Sequence, residues 1–268
     1  MSWDQKLFHW HLKTRRFGRE IRYFDELDST NLWLAEHHEQ FTFSGGITVA
    51  GHQTAGRGRQ ERTWHDQPGQ SLLFSLLLRR SKPEQAAGFL ALLPAIALAE
   101  ILSERFDLSK QVMLKWPNDV LLNGLKVAGV LGQSSTAGSA QVTVLGMGVN
   151  VSTPRVELPV EIRDVATSLY AETGETIARE ILLAEILNRL EPLYDELIEE
   201  NAALVRDRWL RFGPPLNTPI RRQERNQLIS GTFSGLGDQG QLLLKRTDNS
   251  IIELFSGEIE FEPAPARH

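Results

Sequence analysis

Residues 213–219 read GPPLNTP, and this stretch constrains the fold more than any other. Proline lacks a backbone N–H and fixes φ, so three prolines and a glycine in seven positions end any helix and cannot sit in a central strand. Upstream, apolar strand-like runs alternate with helical segments. Downstream, LISGTFSGL, QLLLKRT and IIELFSGEIEF are short strand-like pieces separated by GDQG and DNS turns, the pattern of a small antiparallel barrel. The expected architecture is α+β. Residues 1–213 are read as a mixed sheet with helices and residues 214–268 as a small all-β domain.

Within the first part, Asp28-Ser29-Thr30 offers capping residues ahead of NLWLAEHHEQF, where Leu32, Leu34, Ala35 and Phe41 predict a short amphipathic helix. ITVAGHQ and SLLFSLLLR read as strands, and Pro83 is expected to open a long buried helix. QVMLKW and LKVAGVLGQ predict two more strands joined by a turn at PNDVLLNG, with QVTVLGMGVNV as a third. A charged amphipathic helix is predicted from Thr176 to Phe212, interrupted near Pro192.

Several classes of function are excluded or disfavoured. The longest apolar run, GFLALLPAIALAEIL, falls short of the ~18 residues of a membrane span and contains Pro94 and Glu100. The N-terminus lacks the apolar core of a secretory signal. With no cysteine, the chain has no disulfide, zinc–thiolate site or cysteine nucleophile, which fits a cytoplasmic location. The net charge of -5 has the wrong sign for nucleic acid.

Against that acidic background QTAGRGRQERTW is a basic island, with Arg57, Arg59 and Arg62 beside Gly56 and Gly58. Glycines let backbone amides approach an anion, and guanidinium groups match carboxylate or phosphate. No Gly-Lys-Ser/Thr closes the loop, so it is not a P-loop. By composition it is a plain exposed loop, an anion grip or a nucleic-acid contact, with Trp64 as its buried anchor or a stacking surface. In KWPND, Asn118 and Asp119 lie where a strand ends; they either satisfy their own turn or face an adenine-like edge and a magnesium ion. Lys126 in KVAG either reaches solvent or points into a site, and the glycines of GMGVN mark close approach by backbone or ligand.

Taken in order, Ser29-Thr30-Asn31, QTAGRGR, KWPND, KVAG, GMGVN and Ala166-Thr167-Ser168-Leu169 resemble the biotin protein ligase family, from about Ile21 to Glu260. The resemblance implies a catalytic domain similar to class II aminoacyl-tRNA synthetases, followed by an SH3-like barrel. It implies activation of biotin with ATP to biotinyl-5'-AMP, then transfer to one lysine of a biotin carboxyl carrier domain of a biotin-dependent carboxylase. Arg59 and Lys126 would hold the reacting oxygens. Ser29, Thr30, Asn31, Gln53, Gly56, Arg57 and Gly129 would line the biotin side, and Trp64, Lys115, Asn118, Asn150 and Ala166 the nucleotide side, with Asp119 beside magnesium.

The chemistry explains the cations. A biotin carboxylate must attack a phosphate, and two like charges at 4 Å repel by about 4 kcal/mol at an effective dielectric near 20. Positioned cations cancel that repulsion and stabilise charge building on phosphorus. The loop is expected to be mobile without ligand and to order over the adenylate.

Three positions depart from the family's pattern. Gln60 and Glu61 replace a basic residue and a glycine, and Gln133 replaces an acidic residue. About twenty residues precede the catalytic motifs, too few for a helix-turn-helix reader, so a ligase without operator binding is expected. The same expectation covers partners: no nucleic acid, no membrane, and a monomer or homodimer. The rival within the fold is a lipoate or octanoate ligase or transferase, whose arginine-arginine-serine-glycine-glycine-glycine signature is missing here. An RNA-binding module is the rival of another class.

Overall fold

The computed structural model describes residues 3–80, 87–137, 140–199, 201–224 and 227–261. Two sheets organise it. The larger has seven strands in the order β1-β2-β3-β7-β6-β5-β4, with β1 (Ile21–Phe24), β2 (Ile47–Ala50), β3 (Ser71–Arg80), β4 (Val112–Lys115), β5 (Asp119–Leu122), β6 (Leu125–Ala137) and β7 (Ala140–Asn150). β1 and β2 run parallel and every other neighbouring pair antiparallel, so the sheet is mixed as expected.

PNDVLLNG corrects the expectation of a plain turn. Its DVLL forms β5, and the reversal is only Asn123-Gly124, both at positive φ. That two-residue link is the usual connection of a tight hairpin, and it frees four residues to extend the sheet.

Helix α1 (Gln5–His11) precedes β1, and α2 (Thr30–His37) follows it, capped by the Ser29 side chain. Phe41 lies beyond α2, buried after a short 3-10 turn, not on the helix as the periodicity suggests. Pro83 lies outside the described residues. The buried helical stretch divides into α3 (Ala87–Leu90) and α4 (Leu93–Arg105), with Pro94 in the first turn of α4, where its missing N–H costs nothing. Residues 93 to 102 of α4 are all buried, as suits a helix apolar on every side.

After α5 (Leu169–Thr173), the long charged helix runs unbroken through Pro192 as α6 (Arg179–Ile198) and stops before α7 (Ala202–Phe212). The predicted break is therefore about two turns too early. Leu187, Leu190, Leu193 and Leu197 stay buried across the proline, and such packing outweighs one lost hydrogen bond.

Polar side chains of α6 also fasten the N-terminal segment. Glu180 accepts from the Asp4 N–H, Asn188 accepts from Lys13 and donates to the His11 carbonyl, and Glu191 accepts from Arg15, Arg16 and Phe17. Burial alone would raise the Glu191 carboxyl, but those three N–H groups and Arg16 hold it below its ordinary range.

The helical part ends at Phe212, and five antiparallel strands follow in the order β11-β10-β9-β8-β12: β8 (Pro219–Glu224), β9 (Gln227–Leu236), β10 (Leu242–Lys245), β11 (Ile251–Leu254) and β12 (Glu260–Phe261). IIELFSGEIEF thus supplies two strands, not one. The second sheet docks where the buried Trp116 indole donates to the Gly240 carbonyl at 3.1 Å and Phe233 meets Trp209. This docking brings the β11–β12 connection to the mouth of a cleft on the first sheet.

Candidate functional site

The cleft lies over β5, β6 and β7, and a pair of glycines makes its floor. Gly129 of β6 sits opposite Gly148 of β7, so the sheet there has no side chains on the exposed face. Trp64, at the end of the arginine loop, lies in the gap. A Cβ on Gly148 would come within 2.6 Å of its ring, and one on Gly129 within 3.3 Å. The Trp64 indole N–H is buried and has no hydrogen-bond partner among the described residues.

One end of the cleft is neutral and buried. Ser29 caps α2 through its hydroxyl oxygen, with Leu32 N–H as donor at 3.5 Å. The Thr30 N–H donates to Gln53 Oε1 at 2.8 Å and the Thr30 hydroxyl lies 3.1 Å from the same oxygen. Asn31 donates to the Leu131 carbonyl and to Gln133 Oε1, while its own Oδ1 lies 2.6 Å from the Ser75 hydroxyl. Gly146 makes room for this arrangement, because a Cβ there would overlap the Asn31 amide. Gln133 therefore has a defined task as acceptor for Asn31.

The other end is charged and partly open. Lys126 pairs with Asp119 at 2.6 Å, and its ammonium lies 5.7 Å from the Trp64 ring centroid. Its backbone is fixed by a parallel bridge to Ala166, with Lys126 N–H donating to Val165 and Thr167 N–H to Lys126. Asn118 donates its amide to the Val130 carbonyl at 2.8 Å, and the buried Asn150 donates to the Thr167 carbonyl at 2.9 Å. In both, the amide N–H₂ is anchored to backbone and the carbonyl oxygen is left to accept.

The arginine loop spans the two ends. Arg57 and Thr63 form a bridge, and a 3-10 turn runs from Arg59 to Glu61. Arg57 is exposed, and Arg62 reaches Glu258 of the β11–β12 connection at 2.8 Å. Arg59 is half-buried. Burial lowers its guanidinium's pKa, opposed by the charges of Glu258 and Asp119. Gln60 stands at φ 53, ψ 38, left-handed backbone that disfavours any residue but glycine. The Glu61 side chain lies outside the described residues. At the loop's root, Asp66 is 2.8 Å from His52 Nδ1 and also accepts from the Gln53 N–H.

All the expected site residues except Gly56 and Lys115 line this cleft. Gly56 lies beneath it, where a Cβ would come within 2.8 Å of the Trp64 carbonyl. Lys115 ends β4 as the direct register partner of Asp119 of β5, and does not line the cleft. Sequence reasoning missed Glu258, His65, Ile162 and Val165 among the lining residues. Glu258, in the turn ahead of β12, gave no signal that it would meet a loop almost two hundred positions earlier. Among the described residues no group of three His, Asp or Glu side chains could hold a metal ion.

Comparison with known proteins agrees with this geometry. The profile of the Biotin/lipoate A/B protein ligase family matches residues 23–150. The bifunctional ligase/repressor BirA of Bacillus subtilis is 34% identical over 250 residues, covering 93% of this chain and 76% of that protein. The biotin--[acetyl-CoA-carboxylase] ligase of Paracoccus denitrificans is 34% identical over 81% of this chain and 91% of its own length. Among solved structures, the biotin protein ligase of Aquifex aeolicus in complex with biotin and ATP superposes with a TM-score of 0.77 at 29% identity, covering 92% of this chain and all of that one. On these identities, spread over nearly the whole chain, the protein belongs to the biotin protein ligase family.

Proposed function

We propose that the chain activates biotin with ATP, releasing pyrophosphate, and passes biotin from the resulting adenylate to a lysine of a biotin carboxyl carrier domain. The observation that carries this reading is the two-ended cleft. A neutral polar end whose groups are oriented by protein partners suits a cyclic urea, and a cationic end suits a carboxylate meeting a phosphate. The relatives named as biotin ligases, and the similar structure that holds biotin and ATP, support the same activity.

In the first step a biotin carboxylate oxygen bonds to the α-phosphorus while the bond to pyrophosphate breaks. Lys126 and Arg59 are the cations placed to offset the repulsion between these anions, a contribution on the order of 2 kcal/mol or more for each well-placed donor. The Lys126–Asp119 pair must loosen for Lys126 to reach the oxygens. Asn118 and Asn150 would accept from the nucleotide, and Trp64 would leave the glycine floor to lie over the adenylate. In the second step the carrier lysine's amine attacks the mixed-anhydride carbonyl and AMP departs. No side chain of this chain forms a covalent bond, and the closed loop keeps water from the anhydride.

Magnesium would arrive with ATP. A single carboxylate beside substrate phosphates is the common protein share of such a site, and Asp119 fits that share. The ion would neutralise phosphate charge there. We place residues 1–213 in the catalytic domain and 214–268 in a smaller domain that reaches the cleft through Glu258. Action in the cytoplasm completes the proposal. Residues 3–20 hold a single seven-residue helix strapped to α6, and no helix among the described residues is long and apolar enough to cross a membrane.

Biotin-dependent exchange of labelled pyrophosphate into ATP tests the reading. Exchange with biotin and not with lipoate is expected; exchange with lipoate alone, or with neither, overturns it.

A further inference from the structure

Ser75 stands on β3 with no solvent exposure, the one polar residue inside the apolar run LLFSLLL. Its hydroxyl oxygen lies 2.8 Å from the Thr30 hydroxyl and 2.6 Å from Asn31 Oδ1. One hydroxyl has one proton, so only one of these contacts can be donated by Ser75.

The surrounding backbone decides which. The Leu131 carbonyl can only accept, so the group of Asn31 that faces it at 3.0 Å must be the N–H₂. Gln133 Oε1 takes the second proton of that N–H₂ at 3.2 Å. Asn31 Oδ1 therefore faces Ser75 and must be given a proton, and Ser75 gives it. Ser75 then has only lone pairs for Thr30. The Thr30 hydroxyl proton is held by Ser75 or by Gln53 Oε1, both of them protein atoms. The same logic orients Gln53: its Oε1 receives the Thr30 N–H at 2.8 Å, so its N–H₂ is turned away and is free to donate.

We propose that Ser75 is a positioning residue that, with Asn31 and Gln133, fixes the hydrogen-bond polarity of this end of the cleft. Starting from one backbone carbonyl, the relay makes Thr30 an acceptor toward the ligand and leaves Gln53 as a donor, while Ser29, whose oxygen accepts from Leu32 N–H, has its own proton to give. A cyclic urea offers the complement, a carbonyl flanked by N–H groups. Asn31 contributes from behind, as a relay whose donors and acceptor are all used within the protein. The Gln133 departure keeps the relay intact, because an amide oxygen accepts from Asn31 as a carboxylate would. This proposal rests on the biotin reading above and deepens it.

The test uses two biotin analogues, each with one ring N–H replaced by oxygen, and titration calorimetry on the full chain. For the analogue whose oxygen meets Thr30, binding sets two acceptors face to face. Thr30 could donate only by leaving Ser75 and Thr30 lone pairs opposed at 2.8 Å. The unaltered chain should therefore reject that analogue by roughly 10³-fold or more relative to biotin. Ser75→Ala removes the opposing lone pairs, and the rejection should fall by about tenfold or more.

Ser75→Cys, a weak donor and acceptor at the same place, should give an intermediate value and covers the case in which the alanine variant does not fold. The KM for biotin should rise in both variants while the KM for ATP stays within about twofold, a split that general loosening of the sheet would not give. Equal rejection by the unaltered chain and the variants overturns the relay and leaves the biotin reading standing. Failure of the unaltered chain to bind biotin overturns both.

Discussion

At the neutral end of the cleft, Ser29, Thr30, Asn31 and Ser75 are at most 5% exposed, and each is hydrogen-bonded to another protein group. At the charged end, Lys126 keeps a third of its side chain exposed and Arg62 about two thirds, and both are paired with carboxylates that ligand would displace or disturb. The first end is finished before ligand arrives. The second is held by temporary partners. A neutral ring is recognised by directed hydrogen bonds, whose donors and acceptors must be fixed in advance to discriminate. Phosphate brings its own charge, so until it arrives Lys126, the less exposed of the two cations, needs an interim counter-charge, which Asp119 supplies.

The largest effect should come from breaking the charged end. Lys126→Met keeps the apolar stem and removes the cation that the proposed function sets where carboxylate and phosphate meet. The exchange rate should fall by about 10³-fold, the usual cost of one electrostatic donor at a reacting centre. Biotin binding without ATP should change far less. A loss of biotin affinity as large as the loss of rate would mean that Lys126 serves both ends and that the contrast is false.

Two glycines on one strand sharpen the contrast further. Gly146 and Gly148 lie two residues apart on β7, so a methyl group on either projects to the same face. At Gly146 it overlaps the Asn31 amide, which is locked by three partners; at Gly148 it meets the Trp64 ring at 2.6 Å, on a loop that can move. Gly146→Ala should therefore weaken biotin by about a hundredfold, in the range of a broken buried network, and Gly148→Ala by less than about tenfold. Calorimetry on both variants decides the order, and the reverse order would mean that Trp64 is the fixed element.

These differences mark what the sequence could convey. The motifs that carry chemistry are local strings, and their side chains converge on one cleft because cap, strand and glycine preferences are themselves local. Ser75 left a readable trace, a lone polar residue in a continuous apolar strand, where a buried hydroxyl demands a partner. Gln133, by contrast, departs from the family's pattern without indicating that its partner is Asn31. Glu258 left none, since its place depends on how the second sheet docks. The unbroken α6 and the hidden β5 failed for different reasons: burial over α4 overrode the local breaker Pro192, whereas Pro117 does end β4 and DVLL is too short a run to stand out between that turn and Asn123-Gly124.

Removing the interim partner of the loop should have a smaller effect. Glu258→Gln breaks the pair with Arg62, which is exposed enough for water and salt to weaken it. Exposed pairs are worth about 0.2–1 kcal/mol, so the KM for ATP should change by no more than about fivefold, and the difference should fade at high salt. A larger, salt-insensitive change would place Glu258 among the groups that hold the nucleotide directly.

The smallest effect should come at the root of the loop, where the two ends meet. Burial pushes the Asp66 carboxyl above its ordinary 3.8, and the contact with His52 opposes that shift. A folded pKa above the unfolded value means that Asp66 contributes most below the unfolded pKa, and that the contribution is lost as pH rises through the folded pKa. Asp66→Asn keeps an oxygen for His52 and Gln53 and does not ionise. Relative to this variant, the unaltered chain should lose stability as pH rises from about 4. Urea denaturation of both chains at intervals from pH 4 to 7 measures the difference. If Asp66 belongs with the finished end, biotin affinity stays the same in the two chains at every pH. A difference in stability that stays constant with pH, or one that grows in favour of the unaltered chain, would show that the carboxylate is held by attraction, as at the charged end.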